Sequence, residues 1–321
     1  MTRRDMSNSQ KLDLSARKQI DVMERQALLS LFEQRILVVG LARNCESTVQ
    51  NDVLRLLESL KGCKALSWLV IESDSSDKTI DALRGIEKTV PGFRFISLGS
   101  LRQEMPIRTQ RIAHCRNAYL DELKSNPLYA DIDYVVVADL DGVNNLATSG
   151  GFASCWLRSD WDVCTANQRG PYYDIWALRH HLWSPNDCWQ QYHFLLAMKA
   201  KREAALWAAI YTKMITIDES NDWIEVDSAF GGLAVYRRRT LDGIRYAGVD
   251  EAGEPVCEHV SLNNKIRSSG YRIFINPKLI NTAGTEHSHQ RKAVQCLKRS
   301  CSDLRREAKE LFLKGRSVIG K

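Results

Sequence analysis

The chain has 321 residues, 44% hydrophobic and 26% charged, the balance of a globular protein long enough to bury a sizeable core. Its net charge of +6 is uneven: residues Gln290 to Lys321 carry ten Lys/Arg against three Asp/Glu, leaving −1 for the rest, which excludes a uniformly basic nucleic-acid-binding surface. Nine cysteines without CxxC pairs match neither a disulfide framework nor a paired zinc site, so reduced thiols are expected.

Residues 1–10 are polar and lack the apolar stretch of a signal peptide. The apolar runs, Ile36 to Leu41 among them, fall short of the roughly 20 residues that cross a bilayer. A cytoplasmic protein, soluble or peripheral to a membrane, is the expectation. From Lys11 to Gln34, the positions Leu14, Ile20, Met23, Ala27, Leu28 and Leu31 recur near helical spacing and predict an amphipathic helix. Arg35 to Leu41 reads as a buried strand, leading through Ala42-Arg43-Asn44-Cys45 into a helix from Ser47 to Leu60. A second strand over Ser67 to Glu72 precedes a Ser/Asp-rich turn and a helix from Thr79, and a third is expected over Phe93 to Leu98. Arg108 to Leu123 reads as helix, and Tyr134 to Asp139 as a buried strand.

Strands alternating with helices imply an α/β fold on a mainly parallel sheet. Downstream, strands are expected over Asp162 to Gln168, Phe230 to Tyr236 and Tyr271 to Ile275, with helix over Asp187 to Thr212 and His259 to Ser268. From His289 onward, Leu297, Cys301, Leu304, Ala308 and Leu311 form one apolar stripe on a basic helix. No repeat or low-complexity linker divides the chain. One domain over 35–289 is expected, with a nucleotide-binding half to 145 and an acceptor half from 146, between terminal segments 1–34 and 290–321.

Asp139-Leu140-Asp141-Gly142 is the leading candidate site. Residues two apart in an extended chain point to the same side, so an apolar strand here ends in two aligned carboxylates. At the C-terminal edge of a parallel sheet such a pair can hold Mg²⁺ or Mn²⁺ against a diphosphate; an Asx-rich turn closing the strand is the alternative reading. No GxGxxG follows the first strand, which disfavours a Rossmann dinucleotide site.

The second strand ends instead in Glu72-Ser73-Asp74-Ser-Ser-Asp-Lys-Thr79. Here the sequence resembles GT-A glycosyltransferases, in which a similar acidic, serine-rich segment receives a nucleotide's base and ribose. The resemblance implies that role for Glu72, Ser73 and Asp74, beside Ala42 and Arg43. Arg111 to Asn117 resembles the family's helix lining the donor pocket, and one or more of Arg108, Arg111 and Arg116 would face the diphosphate, with Asn117 nearby. Arginine suits that task because its fork binds phosphate oxygens in a bidentate manner.

Three later segments occur in order: Gly170-Pro-Tyr-Tyr-Asp174-Ile-Trp-Ala-Leu-Arg179, Ser228-Ala-Phe-Gly231-Gly232-Leu-Ala-Val-Tyr236 and Cys257-Glu258-His259. The succession is similar to the fungal capsule-type α-1,3-mannosyltransferases and their bacterial and viral relatives. It departs from them at Cys257-Glu258-His259, where those enzymes tend to have Ser-Glu-Cys-Cys. Donor identity and stereochemistry are therefore not carried across.

The resemblance implies a metal-dependent transfer of a sugar from a GDP- or UDP-linked donor to a glycan or lipid-linked glycan. It places Glu258 and Asp174 near the acceptor and transferred sugar, with Tyr172, Tyr173 or Trp176 stacking on a ring. Gly231 and Gly232 would lie where backbone meets ligand, and His287 would be a third metal ligand beside Asp139 and Asp141. A sugar-1-phosphate nucleotidyltransferase would need a Gly-rich basic loop after the first strand, which Leu41-Ala42-Arg43-Asn44-Cys45 lacks. A glycan-binding protein on a decayed transferase fold is the non-catalytic alternative. The basic C-terminal helix suits either an anionic membrane surface or a protein partner.

Overall fold

The computed structural model describes residues 19–284, so His287 and the expected basic C-terminal helix lie outside the described residues. Eight strands form one sheet: β1 (Arg35–Ala42), β2 (Ala65–Glu72), β3 (Phe95–Ser97), β4 (Tyr134–Asp139), β5 (Val163–Gln168), β6 (Ile224–Val226), β7 (Leu233–Arg237) and β8 (Ile273–Thr282). Their order is β3-β2-β1-β4-β7-β5-β8-β6. All run parallel except β7, which pairs antiparallel with β4 and β5, and the edge strand β6. The expected α/β class with a mainly parallel sheet is what forms.

The helices are α1 (residues 19–32), α2 (Val49–Ser59), α3 (Thr79–Thr89), α4 (Arg108–Ser125), α5 (Ser149–Ala153), α6 (Cys188–Ala197), α7 (Arg202–Ala209) and α8 (Glu258–Ser268). They cover both faces of the sheet. Because side chains alternate along a strand, β1 sends Leu37 and Val39 into a core with Tyr119 and Leu120 of α4. Ile36 and Val38 enter the opposite core with Val49, Val53 and Leu56 of α2. Each fully buried side chain of this size contributes roughly 1.5–3 kcal/mol, which explains the continuous apolar runs of β1 and β4.

Three expectations are corrected in detail. Helix over Asp187 to Thr212 is broken into α6 and α7 by Lys199, whose φ is +64°, with Ala200 N donating to Leu195 O across the stop. A left-handed lysine carries none of the glycine signal that usually marks such an end. The strand expected to finish at Ile275 runs on to Thr282, passing Pro277 where its register with β5 shifts between Thr165 and Asn167. A bulge is the setting in which a strand tolerates proline. In α1, Ala27 and Leu31 are buried, but Ile20 and Met23 of the anticipated face are exposed.

Candidate active site

The parallel strands β1, β2 and β4 end at one edge of the sheet, and a cleft of about 480 Å³ opens there. Its floor is the turn after β4. Leu140 is 2% exposed and belongs to the core on the α2 side, and Asp139 and Asp141 flank it in the cleft lining. The sequence arranges this tightly. Gly40 leaves room for the turn: a Cβ there would stand 2.7 Å from Ala138 O and 2.9 Å from the Leu140 side chain. Thr48 Oγ1 donates to Leu140 O at 3.2 Å, and Gly142, at φ +99°, donates its N–H to Asp52 at 2.7 Å. Asp139 N donates to Gly232 O at 2.9 Å.

Helix α4 presents Arg111, Cys115, Tyr119 and Leu123 along one i, i+4 line. The first half of the helix thus carries its cations to the cleft while the second half packs in the core. Arg116, 3% exposed, bridges two acids: Nη2 lies 3.3 Å from Asp139 Oδ1 and Nε 3.1 Å from Glu258 Oε1. Its guanidinium also lies 5.3 Å from the Phe230 ring and 5.7 Å from that of Tyr246. Glu258 is the first residue of α8, where the helix dipole favours an acid. Asp174 reaches the cleft from the loop after β5, with Oδ2 accepting from Gly231 N at 3.0 Å and Oδ1 from Ala177 N at 3.4 Å.

Five carboxylates, Asp74, Asp139, Asp141, Asp174 and Glu258, therefore share one cleft with buried Arg111 and Arg116. Burial pushes Asp139 up to about 7, aided by Asp141, Asp174 and Glu258 and opposed by Arg116. Burial also raises Asp174 against the amides of Gly231 and Ala177. His259, stacked on Phe230 at 3.7 Å, is held neutral by burial and by the neighbouring Arg116. Such a surplus of hard oxygen donors fits a divalent cation. Among the described residues no group of three or more His, Cys, Asp or Glu is arranged around a common metal position. Asp139 and Asp141 would supply two oxygens, and Mg²⁺ or Mn²⁺ commonly completes its shell with water and phosphate.

A second lobe of about 520 Å³ continues the cleft over the ends of β2 and β3, with Arg43, Asn44 and Asp74 lining both. Glu72 is 1% exposed; its Oε1 accepts from Ser75 N at 3.1 Å and its Oε2 from Ser97 Oγ. Asp74, at φ +57°, accepts from the amides of Leu101 and Arg102, both at 2.9 Å. Asn44, at φ +50°, accepts from Ser76 N at 2.8 Å and so ties the first loop to the second.

Most of the residues singled out in the sequence are brought together. Ala42, Arg43, Ser73, Asp74, Arg108, Arg111, Arg116, Asp139, Asp141, Asp174 and Glu258 line the main cleft, and Glu72 the second lobe. Several expected roles are corrected. Arg116 is committed to Asp139 and Glu258, and Arg111 to the carbonyls of Met105 and Pro106, with Asp74 at 3.6 Å. Exposed Arg43 and Arg108 are the cleft cations without an ion pair among the described residues.

Asn117 is outside the cleft lining, its amide clamping both backbone polar groups of Tyr246. Gly231 and Gly232, at φ +70° and +84°, also lie outside it and hold Asp174 and Asp139 through their backbone. Tyr172 is fully buried against Trp183, which leaves Tyr173 and Trp176 to face the cleft. Asp52 and Phe230 were not anticipated, because a helix-face acid and a core-type aromatic carry no distinguishing sequence signal.

No protein-family profile matches the chain, and no curated protein matches it. Among solved structures it is similar to a mannosyltransferase from Pyrobaculum calidifontis in complex with GDP-Man and Mn²⁺, at 17% identity and a TM-score of 0.46 over 78% of this chain. The chain spans 56% of that protein's length. It is also similar to glucosyl-3-phosphoglycerate synthase from Mycobacterium tuberculosis in complex with UDP (16% identity, TM-score 0.40, 78% of this chain and 69% of that one). A third is TarS from S. aureus (12% identity, TM-score 0.42, 75% and 57%).

Proposed function

We propose that this chain is a metal-dependent glycosyltransferase of the GT-A type, moving a sugar from a nucleoside-diphosphate donor to a hydroxyl of a glycan. The observation that carries the reading is the convergence of Asp139, Asp141, Asp174 and Glu258 in one cleft at the C-terminal edge of the parallel strands. Ligands of α/β sheets bind at that edge. The elongated, two-lobed shape suits a donor with a nucleoside at one end and a sugar at the other. The order of motifs that resembles the capsule-type mannosyltransferases supports the same assignment.

In this reading Asp139 and Asp141 hold Mn²⁺ or Mg²⁺, which when bound neutralises charge gathering on the diphosphate leaving group. Arg43 and Arg108 contact phosphate oxygens at the rim, where charge-assisted hydrogen bonds are stronger than neutral ones. The lobe beside Glu72 and Asp74 receives the nucleoside. Asp174 and Tyr173 contact the transferred sugar. Glu258, with Oε1 on Arg116, keeps its carboxylate in a fixed place beside the transfer point. Arg116 is a positioning residue that joins the metal side of the cleft to the acceptor side.

Thermal shift with GDP, UDP and dTDP, each with and without Mn²⁺, tests the reading, since a bound ligand raises stability by mass action. One nucleotide should raise Tm only with Mn²⁺, and Asp139→Asn and Asp141→Asn should abolish that gain. Arg43→Ala and Arg108→Ala should each weaken the nucleotide by about tenfold while leaving unliganded Tm unchanged. No Mn²⁺-dependent shift with any of the three, or aspartate variants that respond like the parent, refutes the proposal.

A further inference from the structure

A second cleft, of about 690 Å³, adjoins the first, and Cys257, the residue before Glu258, lines both. It lies between α6, the segment 247–256 and the start of α8. Its chemistry differs from that of the first cleft. The walls carry the side-chain amides of Asn186, Gln190, Gln191 and Asn264, the carboxylate of Asp250 and the ring of Phe194. Phe194 is 61% exposed, so its ring is open to solvent at the cleft wall.

Arg179, the one cation in the lining among the described residues, is already engaged by Asp187 at 2.7 Å and by the carbonyls of Trp176 and Leu178. Lys213 Nζ donates to Gln191 Oε1 at 2.9 Å, which fixes that amide and leaves its NH₂ to donate. Asp250 Oδ1 accepts from the amides of Ala252 and Glu254, both at 2.9 Å, so its carboxylate is held in place by its own loop.

Primary amides present a donor and an acceptor side by side, the pattern that matches neighbouring hydroxyls. An exposed aromatic ring beside them offers a flat apolar surface for the C–H face of a pyranose. Among the described residues an anionic ligand finds no unengaged cation here, and it meets the carboxylate of Asp250, Asp187 being paired with Arg179. A purely apolar ligand would bury the amides without partners. We propose that this cleft binds an uncharged oligosaccharide, with the unit to be extended lying where Cys257 and Glu258 join the two clefts. The ligand class rests on the lining of the second cleft; only the statement that this ligand is extended rests on the transferase reading above.

The test uses the full chain and maltotriose, cellotriose and an α-linked mannotriose, with a sulfated trisaccharide as the anionic comparison. Binding is followed by saturation-transfer NMR and calorimetry. Phe194→Ala and Asn264→Ala remove exposed side chains, and an unchanged Tm verifies that each variant folds. At least one neutral trisaccharide should bind, each variant should weaken it by about five- to tenfold, and the Mn²⁺-dependent nucleotide shift should be unaffected. Three results overturn the inference: no neutral trisaccharide bound, binding untouched by both variants, or binding of the sulfated sugar alone. A normal nucleotide response in those cases leaves the transferase reading standing. Neutral-sugar binding that follows the variants without any nucleotide response supports the cleft and removes the transferase reading instead.

Discussion

Replacing Arg116 by methionine keeps most of the stem and deletes the charge on which the cleft is balanced. Arg116 is 3% exposed, and its guanidinium lies 3.3 Å from Asp139 and 3.1 Å from Glu258. Removing one partner of a buried ion pair costs about 3–5 kcal/mol, because the acid left behind loses its cation without regaining water. At about 2 °C per kcal/mol for a large domain, Tm should fall by roughly 6–10 °C. The deficit should also depend on pH. Asp139 already titrates near 7 with Arg116 opposing the rise, so without the cation its folded value moves higher still. A folded value above the unfolded one contributes stability that is present below about pH 4 and lost as pH rises through the folded value. Arg116→Met should therefore lie close to the parent at pH 5 and furthest from it above pH 7. Neutralising one orphaned acid in Arg116→Met/Glu258→Gln should recover a large part of the loss. Urea denaturation of the parent, the single and the double variant at pH 5, 6, 7 and 8 measures all of this. A deficit below about 1 kcal/mol that is the same at every pH, or a double variant no more stable than the single, refutes the bridging role.

Two further outcomes concern the turn that holds the acids. Burial raises the Asp52 carboxyl from 3.8 to about 6, so the stability it contributes is present below about pH 4 and lost as pH rises through 6, in total about 3 kcal/mol. Asp52→Asn keeps an acceptor for Gly142 and should flatten the stability profile between pH 4 and 7; profiles parallel to the parent's would count against the burial argument. Gly40→Ala forces a methyl to within 2.7 Å of Ala138 O, a clash expected to cost about 1–3 kcal/mol in urea and to displace Asp139 and Asp141. Its Mn²⁺-dependent nucleotide shift should shrink as well, and a variant matching the parent in both measurements would show that the close approach constrains nothing.

Strands whose burial is two-sided were plain in the sequence. β1 from Ile36 to Ala42 and β4 from Tyr134 to Ala138 carry no charged side chain, because both faces of these strands meet helices. Direction was not legible: Phe230 to Tyr236 reads as a strand, yet nothing in its residues says that β7 runs against β4. The edge strand β6 is only three residues long and is defined by its pairing with β8. At the candidate site, Asp139 and Asp141 stood out as a carboxylate pair closing an apolar strand, whereas Asp174 and Glu258 were reached only through the resemblance to known transferases. The division of labour among the arginines was not legible. Arg108, Arg111 and Arg116 are equivalent on paper, and only the tertiary neighbours make one a rim cation, one a loop clamp and one a buried bridge.

The glycines illustrate how such a division shapes the site. Gly231 and Gly232 read as places for close ligand approach, but a side chain at Gly231 would meet Gln168, and one at Gly232 would meet Tyr173. Their freedom is used inside the protein, to aim Gly231 N at Asp174 and Gly232 O at Asp139 N. Gly142 does the same for Asp52. Backbone amides thus hold Asp52 and Asp174, a main-chain bond fixes Asp139, and Arg116 joins Asp139 to Glu258. These fixed dipoles and Arg116 position three of the cleft carboxylates, Asp139, Asp174 and Glu258, and burial together with the neighbouring acids raises Asp139 despite that cation. A site preorganised with surplus negative charge takes up a cation more readily than a neutral one would, and a cation seated there draws in a phosphate. Asp139→Asn should therefore weaken the cation and the diphosphate together, whereas Arg43→Ala should weaken the diphosphate alone.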